Sequence, residues 1–248
     1  TVKFVLKIEA GGMGEDAEQE TEVYGVMIDP KGLVLMSNSE LDGFAGMMRR
    51  FRGGSFTTTP KDLKVLIGDD TEGMPGKVLA RDTELDLAWI QIEKPGDKPL
   101  AHIDPAKGVK ANLGDRLLAL EKMGKYFDRA PVVQEVRVGA VTSKPRPTYV
   151  FTGGFIAGRG VPVFTVGGEF VGMTTLLVPS AEEMEGGALR SSMGGYFGTS
   201  PKILPASELV TATKRAREAA EADKPADKPA DKAPEKPADA PADKSGGK

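Results

Sequence analysis

Acid–base, nucleophilic and metal chemistry rest on a few side-chain types, and this sequence is short of several. It holds one histidine, His102, and no cysteine. A lone imidazole with no thiolate does not make the ligand set of a structural zinc site, and a cysteine nucleophile is excluded. No metal and no cofactor is expected. His102 stands in Pro99-Leu-Ala-His-Ile-Asp104, apart from every motif, and reads as a surface or interbarrel histidine. Ser143-Lys144 has the composition of a serine–lysine dyad, but neighbours in a strand face opposite ways. Asp69-Asp70 reads as a solvated pair in a turn. Met47-Met-Arg-Arg-Phe-Arg52 mixes apolar and basic side chains. No amphipathic period extends beyond it, so it reads as a loop with Met and Phe tucked in and the arginines wet, not as a membrane-surface helix. Gly186, Gly187, Gly194 and Gly195 flank Leu189-Arg-Ser-Ser192 without the spacing of a phosphate loop.

The elements that must position any site are short strands. Val2, Phe4, Leu6 and Ile8 alternate with mostly polar residues, as in a half-buried strand. Gly11 to Glu20 reads as a Gly- and acid-rich loop. Val23 to Ile28 and Leu33 to Met36 flank the turn Asp29-Pro-Lys-Gly32, a hairpin signature. Leu63 to Ile67, Lys77 to Ala80 and Leu87 to Ile92 follow, then a strand-poor stretch from Pro95 to Gly108. Beyond it come Arg116 to Leu120, Val132 to Val141, Tyr149 to Phe151, and a hairpin of Val161 to Phe164 and Phe170 to Thr174 around Val166-Gly-Gly-Glu169. Many short strands with Gly, Pro and Asp between them indicate barrels or sandwiches. Ser207 to Ala222 reads as a helix with Ser207 as N-cap. The D-K-P-A theme of residues 223–248 has little to bury and too much proline for regular structure, so it reads as a disordered tail.

Composition narrows the function. The chain has 248 residues, with 33 Lys+Arg against 36 Asp+Glu and 40% hydrophobic residues. That supports a real core and argues against a nucleic-acid partner, which calls for a basic surface. No apolar run is long enough to cross a bilayer.

Three segments, in order, resemble the HtrA/Deg branch of trypsin-like serine proteases. Gly25-Val-Met-Ile-Asp-Pro-Lys-Gly-Leu-Val-Leu-Met-Ser-Asn-Ser-Glu40 is similar to the strand–turn–strand that ends T-N-x-H in that family, with Glu40 at the histidine position. Arg81-Asp-Thr-Glu-Leu-Asp-Leu-Ala-Trp-Ile-Gln-Ile92 resembles D-x-x-x-D-L-A, and places Asp86 at the catalytic aspartate. Ala157-Gly-Arg-Gly-Val-Pro-Val-Phe164 resembles G-N-S-G-G-P, with Arg159 at the nucleophile position; Ala157 and Val161 replace two of the motif's glycines. Gly114-Asp-Arg-Leu-Leu-Ala-Leu120 and Ile203-Leu-Pro-Ala-Ser-Glu-Leu-Val210 are similar to two further family segments. The likeness covers roughly residues 21–217 and no PDZ-like segment follows.

The resemblance implies an all-β fold of two packed six-stranded β-barrels, residues 1–105 and 106–206, with a closing helix over 207–222 and the tail over 223–248. It also implies a cleft between the barrels where Glu40, Asp86 and Arg159 converge. Acyl transfer there needs a hydroxyl nucleophile, an imidazole base and a carboxylate to orient it. Arg159 carries no attacking oxygen, and Glu40 is a weak base near neutral pH. Gly158 and Gly160 are the remnant of the oxyanion loop. The resemblance implies a non-enzymatic protease homologue that binds a protein or extended peptide, extracytoplasmic and serving envelope protein quality control; the alternative is an active endopeptidase of the HtrA type using other residues. The oligomeric state is left open by the sequence.

Overall fold

The computed structural model describes residues 2–10, 17–41, 56–68, 70–144, 146–154, 156, 158–177 and 201–222. The Met47–Arg52 cluster, Asp69, Ala157, the glycines from Gly186 to Gly195 and the tail lie outside the described residues.

Seven strands form the N-terminal sheet: β1 (Val2–Ala10), β2 (Ala17–Val23), β3 (Val26–Asp29), β4 (Leu33–Ser37), β5 (Phe56–Val65), β6 (Met74–Asp82) and β7 (Leu87–Ile92). Their order is β2-β1-β5-β6-β7-β4-β3, all antiparallel. The two edge strands, β2 and β3, are successive pieces of one extended stretch parted only by Tyr24-Gly25. One end of that stretch pairs with β1 and the other with β4, so it joins the two margins of a curled sheet. The strand over Ala17–Val23 starts inside the stretch read from sequence as an acid-rich loop.

The buried pattern explains the curl. In β4, Leu33 and Leu35 face one cluster and Val34 and Met36 another; in β7, Leu87 and Trp89 are split in the same way from Ala88, Ile90 and Ile92. Both strands are covered on both faces, which is why they read as unbroken apolar runs. Gly32 closes the β3–β4 turn with φ +83°, a left-handed value, and a Cβ there would meet the Ile92 side chain. Only glycine meets both demands without strain.

The C-terminal unit is a closed six-stranded barrel in the order β10-β13-β12-β11-β8-β9. Its strands are β8 (Arg116–Lys122), β9 (Pro131–Thr142), β10 (Thr148–Thr152), β11 (Pro162–Thr165), β12 (Phe170–Thr175) and β13 (Lys202–Pro205). Leu117, Ala119, Val136, Val138, Val163, Val171 and Ile203 fill it. Ser143 and Lys144 fall in the turn after β9, not within a strand. A single 3-10 turn, Pro105–Lys107, lies on the connection between the units, with the Asp104 carboxylate capping it at the Ala106 N–H.

Helix α1 (Ala206–Ala222) begins one residue before the expected N-cap, directly after Pro205. It buries Ala206, Leu209, Ala212 and Ala216, a spacing of three or four that makes one apolar stripe. That stripe packs into a cluster shared by both units: Leu33, Leu35, Leu87 and Trp89 from the first, Phe170, Met173 and Leu204 from the second. The Trp89 indole donates to Thr213 Oγ1 at 3.0 Å, and Arg217 reaches Asp29 at 2.6 Å.

Candidate functional site

Asp86 sits at the end of the β6–β7 turn. The Asp82 carboxylate accepts the Leu85 N–H at 2.9 Å, and Asp86 itself takes φ +56°. Strand register then sets its partner. Ser37, the last residue of β4, lies opposite Leu87, so the residues after Ser37 pass beside Asp86. They turn into one helical turn over 38–41, and the Asn38 N–H bonds the Asp86 carbonyl at 3.0 Å. The turn is pinned further by the Arg81 Nε–H, which donates to Asn38 Oδ1 at 2.5 Å, and by fully buried Leu41.

Three donors hold the Asp86 carboxylate, which is only 4% exposed. Oδ1 accepts the Ser39 N–H at 2.7 Å. Oδ2 accepts the Ser37 hydroxyl at 2.6 Å and the Leu176 N–H at 2.9 Å. The last of these comes from just past β12, so one side chain of the first unit is tied to the second.

Arg159 enters from the opposite side of the groove. Its loop is held by Thr174: the Thr174 hydroxyl donates to the Gly158 carbonyl at 3.1 Å and accepts the Val161 N–H at 2.9 Å, while the Gly160 N–H donates to the Thr174 carbonyl at 2.8 Å. Gly160 has φ +74°, and a Cβ there would press on the Ser37 backbone nitrogen at 3.1 Å. The loop thus lies against the end of β4, and the Arg159 Nη1 donates to Ser39 Oγ at 3.1 Å and stands 3.6 Å from Glu40 Oε1.

The hydrogen-bond directions follow from the ends of the chain. Arginine only donates and an ionised carboxylate only accepts. Ser37 Oγ and Ser39 Oγ are 2.9 Å apart. With the Ser37 proton committed to Asp86, Ser39 donates to Ser37, and Arg159 donates to Ser39. A one-way relay, Arg159 to Ser39 to Ser37 to Asp86, joins a cation to a carboxylate through two hydroxyls. Arg159 therefore pairs with Glu40 directly and with Asp86 only through the serines.

Electrostatically the groove is acid-rich. Burial pushes the Glu40 carboxyl above its ordinary range; Arg159 opposes the shift and the charge of Asp86 adds to it. Glu121, on β8, accepts the Gly158 N–H at 3.2 Å and is itself held by Gln134 Nε2 at 3.2 Å. Both glycine N–H groups of the loop are therefore spent, one on a carboxylate and one on Thr174. His102 is exposed, with Nδ1 3.0 Å from the Leu100 carbonyl, and takes no part. Among the described residues no group of three or more His, Cys, Asp and Glu side chains is placed to hold a metal.

Glu40, Asp86, Arg159, Gly158 and Gly160 thus lie together where the end of β4 meets the Arg159 loop. Sequence reasoning missed Ser37, Ser39, Thr174 and the Leu176 N–H. Ser37 and Ser39 flank Asn38 next to a singled-out glutamate, which is a visible signal; a backbone N–H such as that of Leu176 leaves none.

No protein-family model and no curated protein matches the sequence. Solved structures do. The HtrA-type protease AlgW with a decapeptide aligns over 88% of this chain and 63% of its own, at 14% identity and a TM-score of 0.54. AlgW with a tripeptide aligns over 88% and 60%, at 15% identity and a TM-score of 0.50. The MamO protease domain from Magnetospirillum magneticum, in its apo form, aligns over 84% of this chain and 94% of its own, at 16% identity and a TM-score of 0.46. This chain spans less than two thirds of AlgW, and at these identities the likeness is one of fold. The chain has the trypsin-like fold of HtrA-type protease domains.

Proposed function

We propose that this chain is a catalytically inactive homologue of the trypsin-like serine proteases, working outside the cytoplasm as a binding module for a protein or an extended peptide. The observation that carries the reading is the relay at Asp86. In an active site of this fold, the buried carboxylate holds an imidazole, and the imidazole takes a proton from the nucleophile. Here the three hydrogen bonds to Asp86 come from Ser37, Ser39 and Leu176. The position of the nucleophile carries a guanidinium, which has no attacking oxygen.

The two hydroxyls nearby do not replace what is missing. Ser37 is fully buried. Ser39 has one lone pair held by Arg159, and its proton leads through Ser37 to a carboxylate, a weak base near neutral pH. A negative charge developing on a substrate carbonyl beside the Arg159 loop would have the Glu121 and Glu40 carboxylates close by. On this reading the junction of the two units beside Asp86 takes an extended segment added along a strand edge.

The test is a fluorophosphonate probe on the folded protein together with a casein-cleavage assay. No serine labelling and no cleavage are expected. Stoichiometric labelling of any serine would favour an active endopeptidase using residues other than the three aligned positions. The double variant Glu40→His/Arg159→Ser is expected to recover little activity, because Asp86 keeps its three donors and Gly158 stays bound to Glu121; robust casein cleavage by it would show that the site is still set for catalysis.

A further inference from the structure

We propose that the tip of the β8–β9 hairpin is a docking site for an anionic lipid surface, with Tyr126 and Phe127 entering the interface and Lys122 and Lys125 meeting the headgroups. The two rings are exposed over 92% and 55% of their surface. They pack on each other edge to face, with centroids 5.0 Å apart. Behind them, Leu120 and Val133 lie directly opposite in the strand register, so they share the outer face, and both are exposed. Lys122 continues that face by alternation and pairs with Pro131. A strip of Leu120 and Val133, followed by Lys122, thus leads along the hairpin to the two rings at its tip.

The tip is built to hold the rings out. A single 3-10 turn, Lys125–Phe127, carries them. The Phe127 and Ala130 N–H groups close back on the Gly124 and Phe127 carbonyls, and the Met123 N–H bonds the Ala130 carbonyl. Asp128 and Arg129 both adopt left-handed backbone, at φ 57° and 51°. Two successive non-glycine residues in that region are strained and persist only where the surroundings fix them. What fixes them is Arg129, whose guanidinium clamps Glu22 of β2 through three hydrogen bonds of 2.8 to 3.1 Å. The inner side of the loop, with Met123, Gly124, Lys125 and Arg129, lines a cleft of about 300 Å³ whose other wall is Glu20, Glu22 and Tyr24. The loop therefore anchors its inner side through Arg129 and leaves both rings turned to solvent.

Charge decides which surface fits. Lys122 and Lys125 are exposed, and Asp128 is the one acid among residues 122–129; across the cleft Glu22 is paired with Arg129 and Glu20 is exposed. A convex tip with aromatic rings between lysines matches an interface where rings sit at headgroup depth and ammonium groups meet lipid phosphates. This inference does not depend on the fate of the catalytic positions.

The experiment is co-sedimentation of the full chain with unilamellar vesicles, one set of phosphatidylcholine alone and one of phosphatidylcholine with phosphatidylglycerol at seven to three. Binding is expected to the second set, to fall with added salt, and to drop on the order of tenfold or more in Tyr126→Ser/Phe127→Ser. A Tyr126→Trp variant reports insertion directly by a blue shift of emission on those vesicles. Thermal unfolding of the serine variant is expected to match the parent, since both rings are exposed. Absence of binding, equal binding by the serine variant, or an unshifted Trp emission on bound protein would each overturn the proposal. So would concentration-dependent self-association that the serine variant abolishes, which would make the strip a protein interface.

Discussion

Replacing Asp86 by asparagine changes one oxygen to an amide NH2 and leaves the shape almost unaltered, so it isolates the polar wiring of the groove. The side chain now accepts two bonds and loses one. In one orientation the oxygen serves Ser37 and Leu176 while the NH2 faces the Ser39 N–H, donor against donor; in the flipped orientation the NH2 faces the Leu176 N–H and the Ser37 hydroxyl must turn to accept, so one bond is lost either way. The lost charge-assisted bond costs about 2–3 kcal/mol, and turning the other two from charged to neutral acceptance costs about 1 kcal/mol together. The left-handed backbone at Asp86 is tolerated by asparagine and adds little. The sum is about 3–4 kcal/mol, a large share of the 5–15 kcal/mol typical of a folded domain. Trp89 is the only tryptophan and is 1% exposed, so its fluorescence follows unfolding in urea without an added label. At about 2–4 °C per kcal/mol, the thermal midpoint should fall by about 6–16 °C. A loss below about 1 kcal/mol would mean that the carboxylate is solvated in the folded chain, and the relay argument would fail with it.

Two other perturbations test the same packing. Glu40 has its carboxyl raised above the ordinary 4.5, so its ionised form is the costlier one in the folded chain; its contribution to stability is full below the unfolded value and is lost as pH climbs through the folded one. Glu40→Gln should therefore gain on the parent as pH rises from 4 to 7, read from urea midpoints, and a gap that stays flat or shrinks would contradict the burial described. Gly172→Ala places a Cβ against the backbone carbonyl of Leu204; strand backbone cannot turn aside, so the loss should reach about 3 kcal/mol, the upper end for overpacking, and a loss under about 1 kcal/mol in the same urea assay would show that β12 and β13 part easily.

The strands of the first unit were legible because two-sided burial writes itself as apolar runs. Leu33 to Met36 and Leu87 to Ile92 could be read directly, and Gly32 marked the turn between Asp29 and Leu33. Ala17 to Glu20 was not legible: its strand is defined by pairing with β1, and its acidic residues resemble those of a loop. Lys202–Pro205 is short and was absorbed into the approach to the helix, yet it closes the barrel. At the groove, sequence likeness pointed to Glu40, Asp86 and Arg159 because each occupies a fixed place in a motif. The serines depend on the helical turn after Ser37 and on the left-handed backbone of Asp86, neither of which a residue type announces. Thr174 was seen only as a strand residue, while its hydroxyl organises the Arg159 loop.

Helix α1 lies last among the described elements, yet its apolar stripe covers Leu33, Leu35, Leu87 and Trp89 near the front of the chain. A cut near Pro105 would therefore not yield two self-sufficient halves: the leading one would carry a bare oily face until residues more than a hundred positions downstream arrive. During synthesis that face waits uncovered, and a nick before Ala206 in the finished protein would reopen it.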